Sequence, residues 1–132
     1  MKAICLTLGV CLFPISAFAS CEQGPFEAFF LNFSRDIAVQ EAVVGDHVML
    51  SEFDHSAVPE PVTVLREIPR EELEWPLVPN LTQFERAGGS VRYETMSDAQ
   101  SVTLTGDSGY LMTLFFTQDP CWRLQVIENH SM

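Results

Sequence analysis

Two cysteines, two Asp-His pairs and a run of carboxylates ending at a tryptophan are the residues here with chemistry to offer. Cys21 and Cys121 stand near opposite ends of the chain and suit a single disulfide. Asp46-His47 and Asp54-His55 repeat one pair. Imidazole and carboxylate can ligate zinc, and a carboxylate beside histidine can tune it as a base. Adjacent residues on a strand point to opposite faces, so neither pair is expected to act as a unit, and no metal or cofactor is expected. From Glu52 to Glu74 the sequence carries seven acids, with Arg66 and Arg70 as the only arginines or lysines. Trp75 follows directly, and tryptophan is a frequent interface anchor. Glu71, Glu72, Glu74 and Trp75 are therefore the candidate binding residues, suited to a basic protein partner steered by charge.

Other groups offer less. Gly106-Asp107-Ser108-Gly109 matches the nucleophile segment of trypsin-like proteases. Those enzymes need an upstream histidine and aspartate on two β-barrels, in a much longer chain, whereas these four residues are strong turn formers. Asp36, His47, Tyr93 and Tyr110 are the groups that an apolar pocket would turn into a lone acid or base, and spacing assigns none of them a partner. No residue is expected to be catalytic. His130 lies two residues from the end and is expected to fray. Asn32, Asn80 and Asn129 open Asn-x-Ser/Thr sequons, which matter only in a glycosylating host.

The compartment follows from the first residues. Lys2 precedes an apolar run from Ala3 to Phe18 that ends in Ala17-Phe18-Ala19. A basic start, an apolar centre and a small-x-small site are the parts of a signal peptide, here residues 1–19. The run falls short of the roughly 20 residues that span a bilayer, and Pro14 interrupts it. Residues 20–132 then form one domain, exported to the periplasm or secreted. Cleavage removes Cys5, Cys11 and Lys2, leaving six basic residues against eighteen acidic ones. Such a surface excludes nucleic acid and anionic membrane as partners. Phe18-Ala19-Ser20-Cys21 also resembles a lipobox, so a lipid anchor at Cys21 is the alternative to the disulfide.

Positioning elements are legible from periodicity. Phe26, Phe29, Phe30, Phe33 and Ile37 fall on one helical stripe opened by Pro25. Asp36 caps a second helix over Ile37–Val43. His47–Phe53 reads as a strand, Val62–Leu65 as a short β-branched run, Arg70–Glu74 as a helical turn, and Pro79 to Gly88-Gly89 as loop. The last third alternates through Val91–Thr95, Val102–Leu104, Tyr110–Thr117 and Trp122–Val126, an antiparallel meander joined by short turns. Tyr110–Thr117 is apolar on both faces and is expected to be covered on both. The fold class is α+β, with N-terminal helices packed on a curved antiparallel sheet.

Phe26-x-x-Phe29-Phe30-x-x-Phe33-x-x-Asp36-x-x-Val39-Gln40, Glu74-Trp75-Pro76, Asp107-x-Gly109-Tyr110 and Cys121-Trp122-Arg123-Leu124 together resemble an exported bacterial family, domain of unknown function 4348. The resemblance implies a cone fold similar to nuclear transport factor 2 and no known activity. The functional expectation is a small exported, non-catalytic protein that binds a protein partner or a small ligand in the cone pocket. The alternatives are an isomerase- or hydrolase-type enzyme using that pocket, or an inhibitor or immunity-type protein against a basic toxin.

Overall fold

The computed structural model describes residue 21 and residues 23–132. The expected signal peptide lies outside these residues. The first helix, α1, spans Phe26–Arg35, with Pro25 one position ahead of it as N-cap. Asp36 ends α1 and caps α2 (Ile37–Val43), its Oδ1 accepting from the Ala38 N–H at 2.9 Å. Next come strands β1 (Val44–Asp54) and β2 (Val62–Pro69) and a 3-10 turn at Arg70–Glu72. Helix α3 (Leu81–Arg86) leads into the meander β3 (Ser90–Thr95), β4 (Ala99–Thr105), β5 (Leu111–Gln118) and β6 (Trp122–Asn129).

All six strands form one sheet in the order β2-β1-β6-β5-β4-β3. Every pair is antiparallel except β1 with β6, which is parallel. The sheet is therefore mixed rather than antiparallel throughout. Two hairpin-linked groups meet at this junction, and no turn dictates direction there because β1 and β6 are far apart in sequence. Register shifts fall at Val44/Met49 and at Phe115/Phe116, on both sides of β6. Bulges bend strands and strengthen twist, which curves the sheet around α1.

The phenylalanine stripe fills that curve. Phe30, Phe33, Leu104, Leu114 and Phe116 are fully buried. Phe116 meets Phe33 edge-on at 5.4 Å and Phe29 at 5.6 Å between ring centroids. Aromatic pairs of this geometry add about 0.5–1.5 kcal/mol each beyond area burial. The helices lie on one face only, so β5 is covered on one side: Leu114 and Phe116 are buried, Phe115 is half-buried and Leu111 is exposed.

Two local expectations change. Residues 81–86 are helix rather than loop, because the Asn80 Oδ1 accepts from the Gln83 N–H at 3.1 Å and caps the turn. Gly89 follows because a Cβ there would collide with the Phe84 ring. His130 is held rather than frayed. Its N–H donates to Leu111 O at 3.0 Å, and its ring stacks on Phe53 at 4.7 Å.

Candidate functional site

After β2 the chain makes the turn at Arg70–Glu72 and crosses to α3 without regular structure. Arg70 pins the start of this crossing. Its Nη1 donates to the carbonyl oxygens of Glu41 and Val44, the latter at 2.8 Å. These carbonyls lie at the C-terminal end of α2, where a cation is favoured. The same guanidinium lies 6.0 Å from the centroid of the Trp75 ring. Gln40 pins the far end. It is fully buried; its Nε2 donates to Phe33 O at 2.9 Å, and its Oε1 accepts from the Leu77 N–H at 2.8 Å. Leu73, Trp75 and Leu77 pack against the core between these ties.

A cleft of about 330 Å³ lies between this segment and the sheet. Leu50, Ile68, Met112 and Ile127 supply its apolar surface, and Glu72, Glu74 and Asn129 supply polar groups. Among the described residues Arg66 is the only basic one in the lining. Its Nη2 and Nε donate to Glu52 Oε1 at 3.0 and 3.2 Å, so its charge is already paired. Both arginines of the acidic stretch are thus engaged elsewhere, and neither makes an ion pair with Glu71, Glu72 or Glu74. Of the four expected binding residues, Glu72 and Glu74 line the cleft and Glu71 does not, and all three carboxylates are exposed. Trp75 is half-buried and faces Arg70. The residues missed from sequence are the apolar lining and Gln40.

The remaining candidates sit apart. Asp36 is engaged as the α2 cap. His47 Nδ1 lies 3.3 Å from Glu67 Oε1 across β1 and β2, in an exposed pair of little energetic weight. Asp54 accepts from the Ser56 hydroxyl and N–H, and these bonds lower its pKa. Among the described residues no three His, Cys, Asp or Glu side chains converge as a metal site. Burial raises the pKa of Tyr93, with Glu27 and Glu85 adding to it, and burial alone raises that of Tyr110. Both phenols therefore stay protonated at neutral pH and are poor bases. Ser108 sits at φ 59° in a 3-10 turn between β4 and β5, which is the role its neighbours dictate. Ser51 Oγ lies 3.3 Å from His130 Nε2, a pairing invisible in the sequence. No described carboxylate lies within 4.0 Å of that imidazole to orient it.

Cys21 and Cys121 are joined in a disulfide, which takes the thiol that a lipid anchor at Cys21 would need. No helix among the described residues is long and apolar enough to cross a membrane.

No family model matches the chain, so the resemblance to domain of unknown function 4348 has no such match behind it. No curated protein matches it either. Among solved structures it is similar to an NTF2-like protein from Bacteroides fragilis, at 15% identity and a TM-score of 0.59. The match covers 86% of this chain and 50% of that one, so the chain spans about half the length of that protein. With its helices packed on one curved six-stranded sheet, the chain has an NTF2-like α+β fold.

Proposed function

We propose that the protein is an exported, non-catalytic binding module that receives a basic side chain of a protein partner. The observation that carries this reading is the cleft beneath residues 72–77: apolar lining from Leu50, Ile68, Met112 and Ile127, with Glu72 and Glu74 beside it. A lysine or arginine has the matching form, an apolar stem ending in a cation. The engagement of Arg66 with Glu52, and of Arg70 with α2, leaves these carboxylates without a basic partner from their own stretch. The leader sequence and the Cys21–Cys121 bond support action outside the cytoplasm.

A catalytic reading has less support. The space inside the curve is filled by Phe29, Phe30, Phe33 and Phe116, and among the described residues the cleft lining offers Glu72 and Glu74 as acid or base groups but no histidine, cysteine, serine or tyrosine beside them. Inhibition of a basic toxin or enzyme is one form that partner binding would take.

The test begins with the tagged, oxidised protein as bait in its native envelope, followed by mass spectrometry. The expected result is one basic protein at near-equal stoichiometry. With that partner purified, E72K/E74K should weaken the complex roughly tenfold at low salt, and the difference should shrink as salt rises. E71K, outside the cleft lining, should do less. An acidic partner, or equal losses from both variants, would remove the cleft from the interaction.

A further inference from the structure

A second and larger cleft opens beside α1. It holds about 560 Å³ and is bounded by α1, α2 and the start of β6 beside the disulfide. Its walls are Phe29, Val39, Val43 and Trp122, with Ala28, Ala38 and Ala42 too small to fill it. None of the described residues lining it is acidic, although the chain carries 18 acids against 7 bases. Its polar lining consists of Arg123, Asn32 and Gln23. The Gln23 Oε1 accepts from the Trp122 backbone N–H at 2.8 Å, which leaves the amide NH2 as a donor facing no carboxylate among the described lining residues.

Arg123 is exposed on β6. No described carboxylate lies within 4.0 Å of its guanidinium. Its Nη1 lies beside Gly45, just past the end of α2, where it would be a natural cap for that helix. Arg70 already fills this role, since its Nη1 holds the Glu41 and Val44 carbonyls. A cation with no carboxylate partner among the described residues, in the lining of a largely apolar cleft whose described residues include no acid, is an arrangement for an anion with an apolar body.

We propose that this cleft binds a small amphipathic carboxylate, its head on Arg123 with Asn32 and Gln23 as further donors, and its apolar body against Phe29, Val39 and Trp122. Volumes of about 300–1,000 Å³ with apolar walls and a few converging polar groups are typical of small-molecule sites. A guanidinium takes both carboxylate oxygens at once, which fixes the head.

Trp122 lines the cleft and Trp75 lies outside its lining, so a Trp75→Phe protein reports on the cleft through the emission of Trp122 alone. The oxidised protein, expressed from its full coding sequence, would be titrated with octanoate, octylamine and octanol. Saturable quenching or shift with octanoate is expected, with octylamine weaker by roughly tenfold or more. On the same background Arg123→Gln should weaken octanoate by a similar factor and bring it close to octanol. Ala42→Phe, at an exposed position on the cleft wall, should abolish all binding while leaving the melting temperature in place. Should Arg123→Gln fail to fold, the ranking of the three probes and the Ala42→Phe result still decide. No saturable response to octanoate, equal binding of octylamine, or octanoate binding that survives Ala42→Phe would each overturn the proposal.

Discussion

Replacing Gln40 with leucine is expected to lower folding stability by about 2–4 kcal/mol. The two side chains are close in size, so little of this loss comes from a cavity. It comes from two backbone groups that lose their partners, Phe33 O and Leu77 N–H, at the junction of α1, α2 and the segment that borders the acidic cleft. A buried group left unpaired costs about 1–3 kcal/mol. The Leu77 end is only part-buried, so water offsets some of its share. Ser34→Ala is the milder comparison. The Ser34 Oγ donates to Leu31 O at 2.8 Å and accepts from the Leu81 N–H at 3.1 Å, and its loss should cost about 1–2 kcal/mol. Urea unfolding of both variants gives the two numbers, and amide exchange at Leu77 locates the effect. A Gln40→Leu loss under about 1 kcal/mol, with unchanged exchange at Leu77, would show that this amide does not hold the segment. If it does hold it, the same variant should loosen Glu72 and Glu74 and weaken any partner bound in the cleft, although residue 40 does not line it.

That dependence marks the limit of what was legible. The phenylalanine spacing located α1 and its buried face, because a period near 3.6 is a local property of the sequence, but Ile37, placed on the same stripe, begins α2 and is exposed because Asp36 breaks the helix. Asp36 marked α2, and alternation with turn residues gave β3 to β6. The parallel pairing of β1 with β6 left no local trace, since it joins segments far apart in sequence. α3 was missed although Asn80 and Gln83 are three apart, the spacing of a cap, because Pro79 and the paired glycines spoke for a loop. At the candidate site the carboxylates were visible as composition, but composition could not separate Glu72 and Glu74 from Glu71. That distinction depends on how residues 71–74 lie against the sheet, a tertiary relation that no local pattern carries. The roles of Arg70 and Gln40 were equally hidden: one reaches the carbonyls of a helix 26 and 29 residues away, the other a backbone N–H 37 residues away. Side chains that tie distant backbone have no periodicity to betray them.

The Cys21–Cys121 bond was readable from the ends of the chain, and its removal should be the other large perturbation. It closes a loop with a sequence separation of 100. In the chain-entropy model a loop of that length destabilises the unfolded state by about 4.7 kcal/mol, and measured losses are usually about 2–4 kcal/mol. Changing both cysteines to serine should therefore lower stability by about 3 kcal/mol. The native fold should survive at 25 °C, because the same end of the chain is also held by packing. Trp122 meets Phe26 at 5.0 Å and Phe29 at 6.4 Å, and Gln23 holds the Trp122 N–H. Native near-ultraviolet dichroism together with a lower urea midpoint is the expected pair of results. The denaturant slope should rise as well, since an unlinked unfolded chain exposes more surface. Reduced wild-type protein should unfold with the double variant, and if both match oxidised wild type to within about 1 kcal/mol, the bond contributes little to stability. Single substitutions would be harder to read, because each leaves a free thiol able to pair between molecules. Gln23, Cys121 and Trp122 also line the larger cleft, so reduction should weaken octanoate binding there before it unfolds the domain.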